Sequence, residues 1–335
     1  MSRLRIAVAL SAALACRVVP HDPTNTSIFL GSPVELSCSA TAAAARMHLV
    51  SHRSCSQNLS DACSEVFLAQ LRKLLAAASR TELWRAHLFA ALPQELMEQR
   101  RWRTHLRAGR GRGYWFWKAA LLNMLLRRGA IRDGEVIVYA DADANGFIQR
   151  VAQTALARAG APWDVMVHEQ PRCEFQWTKR DLFATFGVGA CDAHYGLTEQ
   201  PKADVILLRV NDRTRQLLRN WESLASDFHL ISDEPSRAVP ERPGFQEHRH
   251  DQSILSMLLK ASTALRPCER ELSGEEWVLG SRGGASASDA DLGGCGPAAR
   301  AANWSVHPTW GVRQLQVHVV YYGPETYPRA KTGHA

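Results

Sequence analysis

Apolar positions fall at helical spacing over residues 65 to about 107, with Phe67, Leu68, Leu71, Leu74 and Leu75 on one side, a break near Thr81 and a basic, tryptophan-bearing stretch through Trp102. This rhythm predicts helices that cover one face of a sheet. Arg110-Gly-Arg-Gly-Tyr-Trp-Phe-Trp-Lys118 leads into an apolar helix over 119–126, closed by the basic Arg127-Arg128 and the stop Gly129. Immediately after it, Gly134-Glu-Val-Ile-Val-Tyr-Ala-Asp-Ala-Asp143 is a short apolar run entered through the turn pair Asp133-Gly134. Its β-branched and aromatic residues suit a central strand. A helix over about 146–158 and a second strand over 165–168 would complete a βαβ unit. Residues 205–210 read as a further strand, helices follow over 214 to about 226 and after Asp251, and 314–322 alternates like a strand that docks on the sheet. The order predicts an α/β fold built on a mixed, mainly parallel sheet flanked by helices.

With 335 residues, 46% of them apolar, the chain can bury one large core, and a single α/β domain with extensions fits better than two equal domains. The net charge of +7 comes mostly from scattered arginine, which reads as a basic solvated surface rather than a nucleic-acid groove. It favours anionic ligands such as nucleotides, and no nucleic-acid partner is expected.

The start, Met1-Ser-Arg-Leu-Arg5 with an apolar stretch to Ala15 and the small-residue pattern Ala13-Leu14-Ala15, predicts a signal peptide or short signal anchor over 1–15. The stretch is shorter than the roughly 20 residues of a membrane span, so membrane association is expected only through the N-terminus. Three acceptor sequons, at Asn25, Asn58 and Asn303, agree with a lumenal home in the ER or Golgi, with secretion as the alternative. Eight cysteines lack any paired C-x-x-C spacing, and in an oxidising lumen Cys55 to Cys63 and Cys173 to Cys191 are the nearest partners in sequence. The domain plan that follows is an N-terminal extension over 16–64, a catalytic domain over 65–275, a Gly/Ala/Ser-rich linker over 276–302 and a C-terminal segment over 303–335.

The chemistry starts from Asp141 and Asp143. Two carboxylates at i and i+2 beyond a strand, at the edge where α/β sheets bind ligands, are hard oxygen donors that can share Mn²⁺ or Mg²⁺ with the two phosphates of a nucleotide. Other readings compete. The pair can be solvated turn residues. Asp141 to Gly146 also opens like an EF-hand loop, but Ala152 stands where the bidentate glutamate belongs. A haloacid-dehalogenase-like phosphatase uses such a pair as nucleophile and acid, but generally wants Thr or Val where Asn145 stands. In His248-Arg-His-Asp-Gln-Ser253, Asp251 or Ser253 can cap the helix that follows, while Asp251 is also a candidate acceptor base and His248 or His250 can complete a metal shell. Trp115, Phe116 and Trp117 are core aromatics by default. Tyr114 or a tryptophan can instead stack on a ring, and Lys118 can meet diphosphate.

Gly113-Tyr-Trp-x-Trp-Lys118, Trp177-Thr-Lys-x-Asp181 and His248-Arg-His-Asp-Gln-Ser253, in this order and spacing, resemble the nucleotide-diphospho-sugar transferases of the GT-A type, over residues 65–262. The resemblance implies a GT-A-like, Rossmann-type fold and a metal-dependent glycosyltransferase moving a sugar from a nucleotide-sugar donor to a glycan or other hydroxyl acceptor. Taken with the residue chemistry above, the metal is expected at Asp141, Asp143, His248 and His250, and the donor at Tyr114, Trp117, Lys118, Asp141, Lys179 and Arg249. The acceptor falls to Trp177, Asp181 and Gln252, with Asp251 as catalytic base. Two departures stand out: Lys118-Ala119 where that family usually has Lys-Pro, and Asp141-Ala-Asp143 where it has Asp-Ala-Gly. The second brings the chain closer to the general Asp-x-Asp signature. A secreted carbohydrate- or calcium-binding protein without turnover, or the phosphatase, remains as the alternative.

Overall fold

A computed structural model describes residues 16–19, 34–38, 47–52, 83–89, 91–142, 162–168, 170, 172–237, 240–265, 268 and 306–320. The strands among them are β1 (Cys16–Val19), β2 (Val34–Cys38), β3 (Met47–His52), β4 (Leu83–Phe89), β5 (Val136–Ala140), β6 (Val165–His168), β7 (Val205–Arg209) and β8 (Val317–Val320). They form one sheet in the order β1-β2-β4-β3-β5-β7-β6-β8. Hydrogen bonding is parallel for β4-β3, β3-β5 and β6-β8 and antiparallel for the others, so the six strands from β4 to β8 are largely parallel. This is the mixed α/β architecture that the element order predicts, consistent with a GT-A-like, Rossmann-type sheet.

The strand residues explain the middle of the sheet. β5, Val-Ile-Val-Tyr-Ala, is buried throughout between β3 and β7, the setting in which apolar and β-branched residues cover two faces at once, while β3, Met-His-Leu-Val-Ser-His, is equally buried between β4 and β5 but carries polar residues, of which His48 bonds His87 and Glu135. Two expectations are corrected. Residues 83–89 form a strand rather than part of a helix, because pairing to β2 on one edge and β3 on the other overrides the local rhythm. β5 and β6 point the same way but do not touch, since β7 runs antiparallel between them. The expected helix over 146–158 lies outside the described residues. The segment expected as an N-terminal extension supplies three strands, and β8 docks beside β6 as its alternation predicts.

Three longer helices pack on this sheet. α1 (Trp117–Arg127) is buried from Trp117 to Leu126, the mark of a helix enclosed on all sides. α2 (Asp212–Ala225) lies against it, and Asn123 Nδ2 donates to Leu218 O at 2.7 Å. α3 (His250–Ser262) packs on α2 and is buried along most of its length. No helix among the described residues is long and apolar enough to cross a membrane.

The start of α2 is fixed by a capping box. Asn211 Oδ1 accepts from the Thr214 amide at 3.1 Å, and Thr214 Oγ1 accepts from the Asn211 amide at 3.0 Å. Beside it, buried Asp164 accepts from Asn211 Nδ2 (2.7 Å), Arg213 Nε and a terminal nitrogen (2.7 and 2.9 Å) and the Gln316 amide (2.8 Å), joining β6, α2 and β8. Burial would raise the Asp164 carboxyl, but these donors, led by Arg213, outweigh it and hold it below the ordinary carboxylate range. A depressed carboxylate lends stability above its unfolded range that is lost as pH falls through the folded value. Asp164→Asn is therefore expected to cost about 1–3 kcal/mol at pH 7 and to flatten the acid limb of stability, measured by urea unfolding at pH 3 to 7.

Cys173 is bonded to Cys268, 95 residues on, and not to Cys191, which belongs to a separate disulfide. Nearness in sequence misleads here because the chain after α3 returns beside Cys173: the Cys268 amide donates to Leu197 O at 3.1 Å, and Cys173 bridges Glu199. Cys55 and Cys63 lie outside the described residues.

Candidate active site

β3 and β5 end at one edge of the sheet, and antiparallel β7 begins there, which brings His52, Asp141 and Asp204 together. The Asp141 amide donates to Asp204 O at 2.7 Å and ties the two loops. A cavity of about 510 Å³ opens at this edge, bounded by these residues together with Lys118, Asp251, Gln252, three arginines and two tryptophans. Carboxyl ends of strands are where sheets of this kind hold ligands.

The floor is charged. Lys118, second residue of α1, holds its Nζ 3.3 Å from both Asp141 oxygens, 3.0 Å from Asp251 Oδ2 and 2.9 Å from Ala203 O. Tyr139 OH donates to Asp141 Oδ1 at 2.6 Å. Asp251 sits in the first turn of α3, but its carboxylate does not cap that helix. Ser253 does the local work instead, with Oγ accepting from the Arg249 amide at 3.2 Å and donating to Trp177 O at 2.8 Å. Asp204 is bonded by His168 and lies 3.7 Å from Lys202 Nζ.

These contacts set the protonation states. Burial pushes Asp251 up to about 7, Lys118 draws it back and Asp141 adds to the rise. Burial also raises Asp141, against the pull of Lys118 and Tyr139. For Lys118 burial works against the charge, yet Asp141 and Asp251 outweigh it and leave the ammonium above its ordinary value. Asp204 falls below the carboxylate range because the His168 bond and nearby cations outweigh burial. The floor thus holds one fixed cation, two anions of unequal basicity and a carboxyl that titrates near neutrality.

The wall comes from residues 109–117. Gly111, Arg112, Gly113, Tyr114 and Trp115 all have positive φ, from 49° to 97°, a left-handed turn that costs roughly 1–2 kcal/mol at each non-glycine position. Gly113 is required: a Cβ there would lie 2.8 Å from His105 O and from the Phe116 ring. Trp117 Nε1 anchors the turn on Gly111 O at 3.0 Å, and Trp115 stacks on His250, ring centroids 5.5 Å apart. Arg110, Arg112 and Arg249 add positive charge to the same cavity, Arg110 being shared with Asp233 and Glu247, and Arg249 with Glu247.

Of the residues singled out in the sequence, Trp117, Lys118, Asp141, Arg249, His250, Asp251 and Gln252 converge on this cavity. Others are held by structural bonds. Lys179 Nζ donates to three carbonyls, of His229, Ser232 and Glu234, and Asp181 accepts from His229 Nε2 at 2.5 Å and the Arg237 amide at 2.7 Å. Both clamp the 229–237 loop rather than face the cavity. The guanidinium groups of Arg172 and Arg249 lie over the Trp177 ring, at 4.2 and 4.5 Å, and Tyr114 packs on Phe228 and His250.

The two histidines differ. His248 accepts from the Lys179 amide at Nδ1 (3.3 Å) and bonds Leu230 O through Nε2 (2.9 Å), so both ring nitrogens are taken. His250 Nδ1 bonds Ile231 O at 3.1 Å, while its Nε2 lies 3.6 Å from Asp233 and has no hydrogen-bond partner. Asp143 lies outside the described residues. Among the described residues no group of three or more His, Cys, Asp or Glu is placed to hold a metal ion, and the carboxylates of the floor already share the Lys118 ammonium. The described donor set therefore does not fit the expected Mn²⁺ or Mg²⁺.

Trp115, one of the tryptophans expected either in the core or stacked on a ring, lines the cavity too, as do His52, Asp204, Arg110 and Arg112, which were not legible as site residues. His52 is the notable one. It is 3% exposed, lies against Trp117 with ring centroids 4.3 Å apart, and neither of its ring nitrogens has a hydrogen-bond partner. Burial, with Arg112 adding to it, lowers its pKa to about 3, so it offers a neutral imidazole.

The chain matches no protein-family model and no curated protein. Among solved structures it is similar to the galactosyltransferase LgtC, crystallised with donor and acceptor sugar analogues, at 15% identity and a TM-score of 0.31 over 63% of this chain and 70% of that one. A likeness this slight does not bear on chemistry.

Proposed function

We propose that the chain is a glycosyltransferase that takes a sugar from a nucleotide-sugar donor to a hydroxyl acceptor in the lumen of the secretory pathway. The observation that carries the reading is the Lys118 ammonium set between Asp141 and Asp251 on the floor of a cavity walled by arginine and tryptophan. Cations beside flat aromatic faces suit a ligand that is both anionic and ring-bearing. In the step itself the acceptor oxygen attacks the anomeric carbon and gives its proton to the Asp251 carboxylate, while the bond from that carbon to the diphosphate oxygen breaks and its electron pair leaves with the diphosphate. Lys118 and the wall arginines meet the charge that builds on the leaving group. No step is routed through a metal ion, because the described donors do not fit one. The Cys173–Cys268 disulfide, the three sequons and the signal-like start support the lumenal setting.

The test is thermal shift against uridine, guanosine and cytidine diphosphates and their sugar conjugates, followed by an assay for nucleoside diphosphate release. Stabilisation by one nucleotide series with release on adding an acceptor supports the reading. Stabilisation by Ca²⁺ or free glycan alone replaces it with a binding protein, and turnover of an aryl phosphate replaces it with a phosphatase.

His52 adds a separate expectation. Phenylalanine keeps the ring against Trp117 and removes two buried polar atoms that have no protein partner, so His52→Phe is expected to raise stability by about 1 kcal/mol. Nucleotide-sugar affinity should fall about tenfold, through one lost hydrogen bond to an uncharged group of the ligand. Calorimetric titration beside urea unfolding checks both, and a loss of stability with unchanged affinity would show that the imidazole serves only the fold.

A further inference from the structure

We propose that Lys118 is the resident cation of this carboxylate floor, its ammonium standing where a divalent ion would bind Asp141, so that the diphosphate of the ligand meets the lysine directly. The inference takes only its ligand from the reading above. The ammonium is held from three sides, at 2.9 Å by Ala203 O, 3.0 Å by Asp251 and 3.3 Å by Asp141, and its side chain is 4% exposed. It lies over the Tyr139 ring at 5.3 Å, and that same tyrosine donates to Asp141. The buried helix α1 fixes the lysine backbone, leaving little room for the group to withdraw.

Charge balance points the same way. Asp204 is served by His168 and Lys202, and Asp141 by Lys118 and the Tyr139 hydroxyl. Asp251, whose Oδ2 lies 3.0 Å from the same ammonium, completes its surroundings, so that one lysine serves two carboxylates. A divalent ion on Asp141 would sit a few ångströms from a fixed, buried ammonium, where like charges are little screened and repel strongly. A monovalent cation fixed by the chain needs no uptake from solution, and although its three hydrogens already serve Ala203 O, Asp251 and Asp141, its charge is in place to meet the diphosphate as the ligand arrives.

The experiment is Mn²⁺ titration of the full chain, free of nucleotide, followed by electron paramagnetic resonance of unbound Mn²⁺. The wild type, Lys118→Met and Lys118→Arg are compared, together with calorimetry of uridine and guanosine diphosphate binding in the presence of EDTA. The expected result is weak Mn²⁺ binding by wild type and Lys118→Arg, at least tenfold tighter binding by Lys118→Met, and nucleoside diphosphate binding by wild type that survives EDTA. Micromolar Mn²⁺ binding by wild type, no tighter in Lys118→Met, overturns the proposal. So does a hundredfold loss of nucleotide affinity in EDTA. If Lys118→Met does not fold, the two wild-type measurements decide by themselves. If neither diphosphate binds under any condition while Lys118→Met gains Mn²⁺, the cation assignment stands and the glycosyltransferase reading falls.

Discussion

Replacing Lys260 with methionine is expected to lower the unfolding free energy by about 3–5 kcal/mol, the cost of leaving the buried Glu174 carboxylate without its cation. Neither side chain has any exposure, and Nζ lies 2.6 Å from Glu174 Oε2. The remaining hydrogen-bonding capacity is met: Lys260 donates to Tyr195 O at 2.9 Å and Thr198 O at 3.2 Å, and Glu174 accepts from Thr178, Ser256 and Gln200 Nε2, the last at 2.7 Å. A pair so completely satisfied is worth little against an apolar replacement of both members, whereas loss of one partner strands a charge. The double variant Glu174→Met/Lys260→Met should therefore be less destabilised than the single Lys260→Met, a coupling that a double-mutant cycle in urea measures directly. A cost below about 1 kcal/mol for Lys260→Met would mean that water reaches the pair.

The same pair reaches the cavity through a chain of amides. Gln200, held by Glu174, accepts from Gln252 Nε2 at 2.7 Å, and Gln252 in turn accepts from the Ala203 amide at 3.4 Å, next to Asp204. α3 is thus pinned at its end by Lys260 and at its start by Gln252, Ser253 and Asp251. Its position sets how close Asp251 stands to Lys118.

Much of this was legible because it is local. The helix over 119–126, the strand before Asp141, the strand at 205–210 and the helix after Asp251 follow from runs of apolar residues with clear stops, and each appears within a few residues of its expected bounds. The strand order was not legible, since the insertion of β7 between β5 and β6 depends on pairings between distant segments. In His248-Arg-His-Asp the sequence offers four polar groups at once, but α3 begins within the cluster and sorts them. His248 and His250 turn to the carbonyls of Leu230 and Ile231, while Asp251 turns to Lys118. His52 went unnoticed because Met-His-Leu-Val-Ser-His52 holds two histidines without a regular alternation, so nothing singles out the last of them until its strand is set beside β5.

Asp251→Asn is expected to reduce transfer by about 10²–10⁴-fold, the usual contribution of a positioned general base, while making the protein more stable at pH 8. Both effects come from one property. Burial first, and Asp141 beside it, raise this carboxyl to about 7 despite the pull of Lys118. Its folded value lies above its unfolded value, so the stability it contributes is complete below the unfolded carboxylate range. That contribution is lost as pH rises, until the folded group ionises near pH 7. A shift of this size corresponds to at most about 4 kcal/mol, and the asparagine variant also gives up the ion pair with Lys118, so a net gain of about 1–2 kcal/mol at pH 8 is expected, fading toward pH 4. Catalysis runs the other way. The base acts only when ionised, so wild-type turnover should climb through pH 7, and the variant should lose that limb together with most of its rate. Unfolding at pH 4 and 8, set beside the pH dependence of nucleoside diphosphate release, reads both. An asparagine variant that keeps wild-type turnover removes Asp251 from the chemistry, and one that gains no stability at pH 8 shows the carboxyl is not held against its charge.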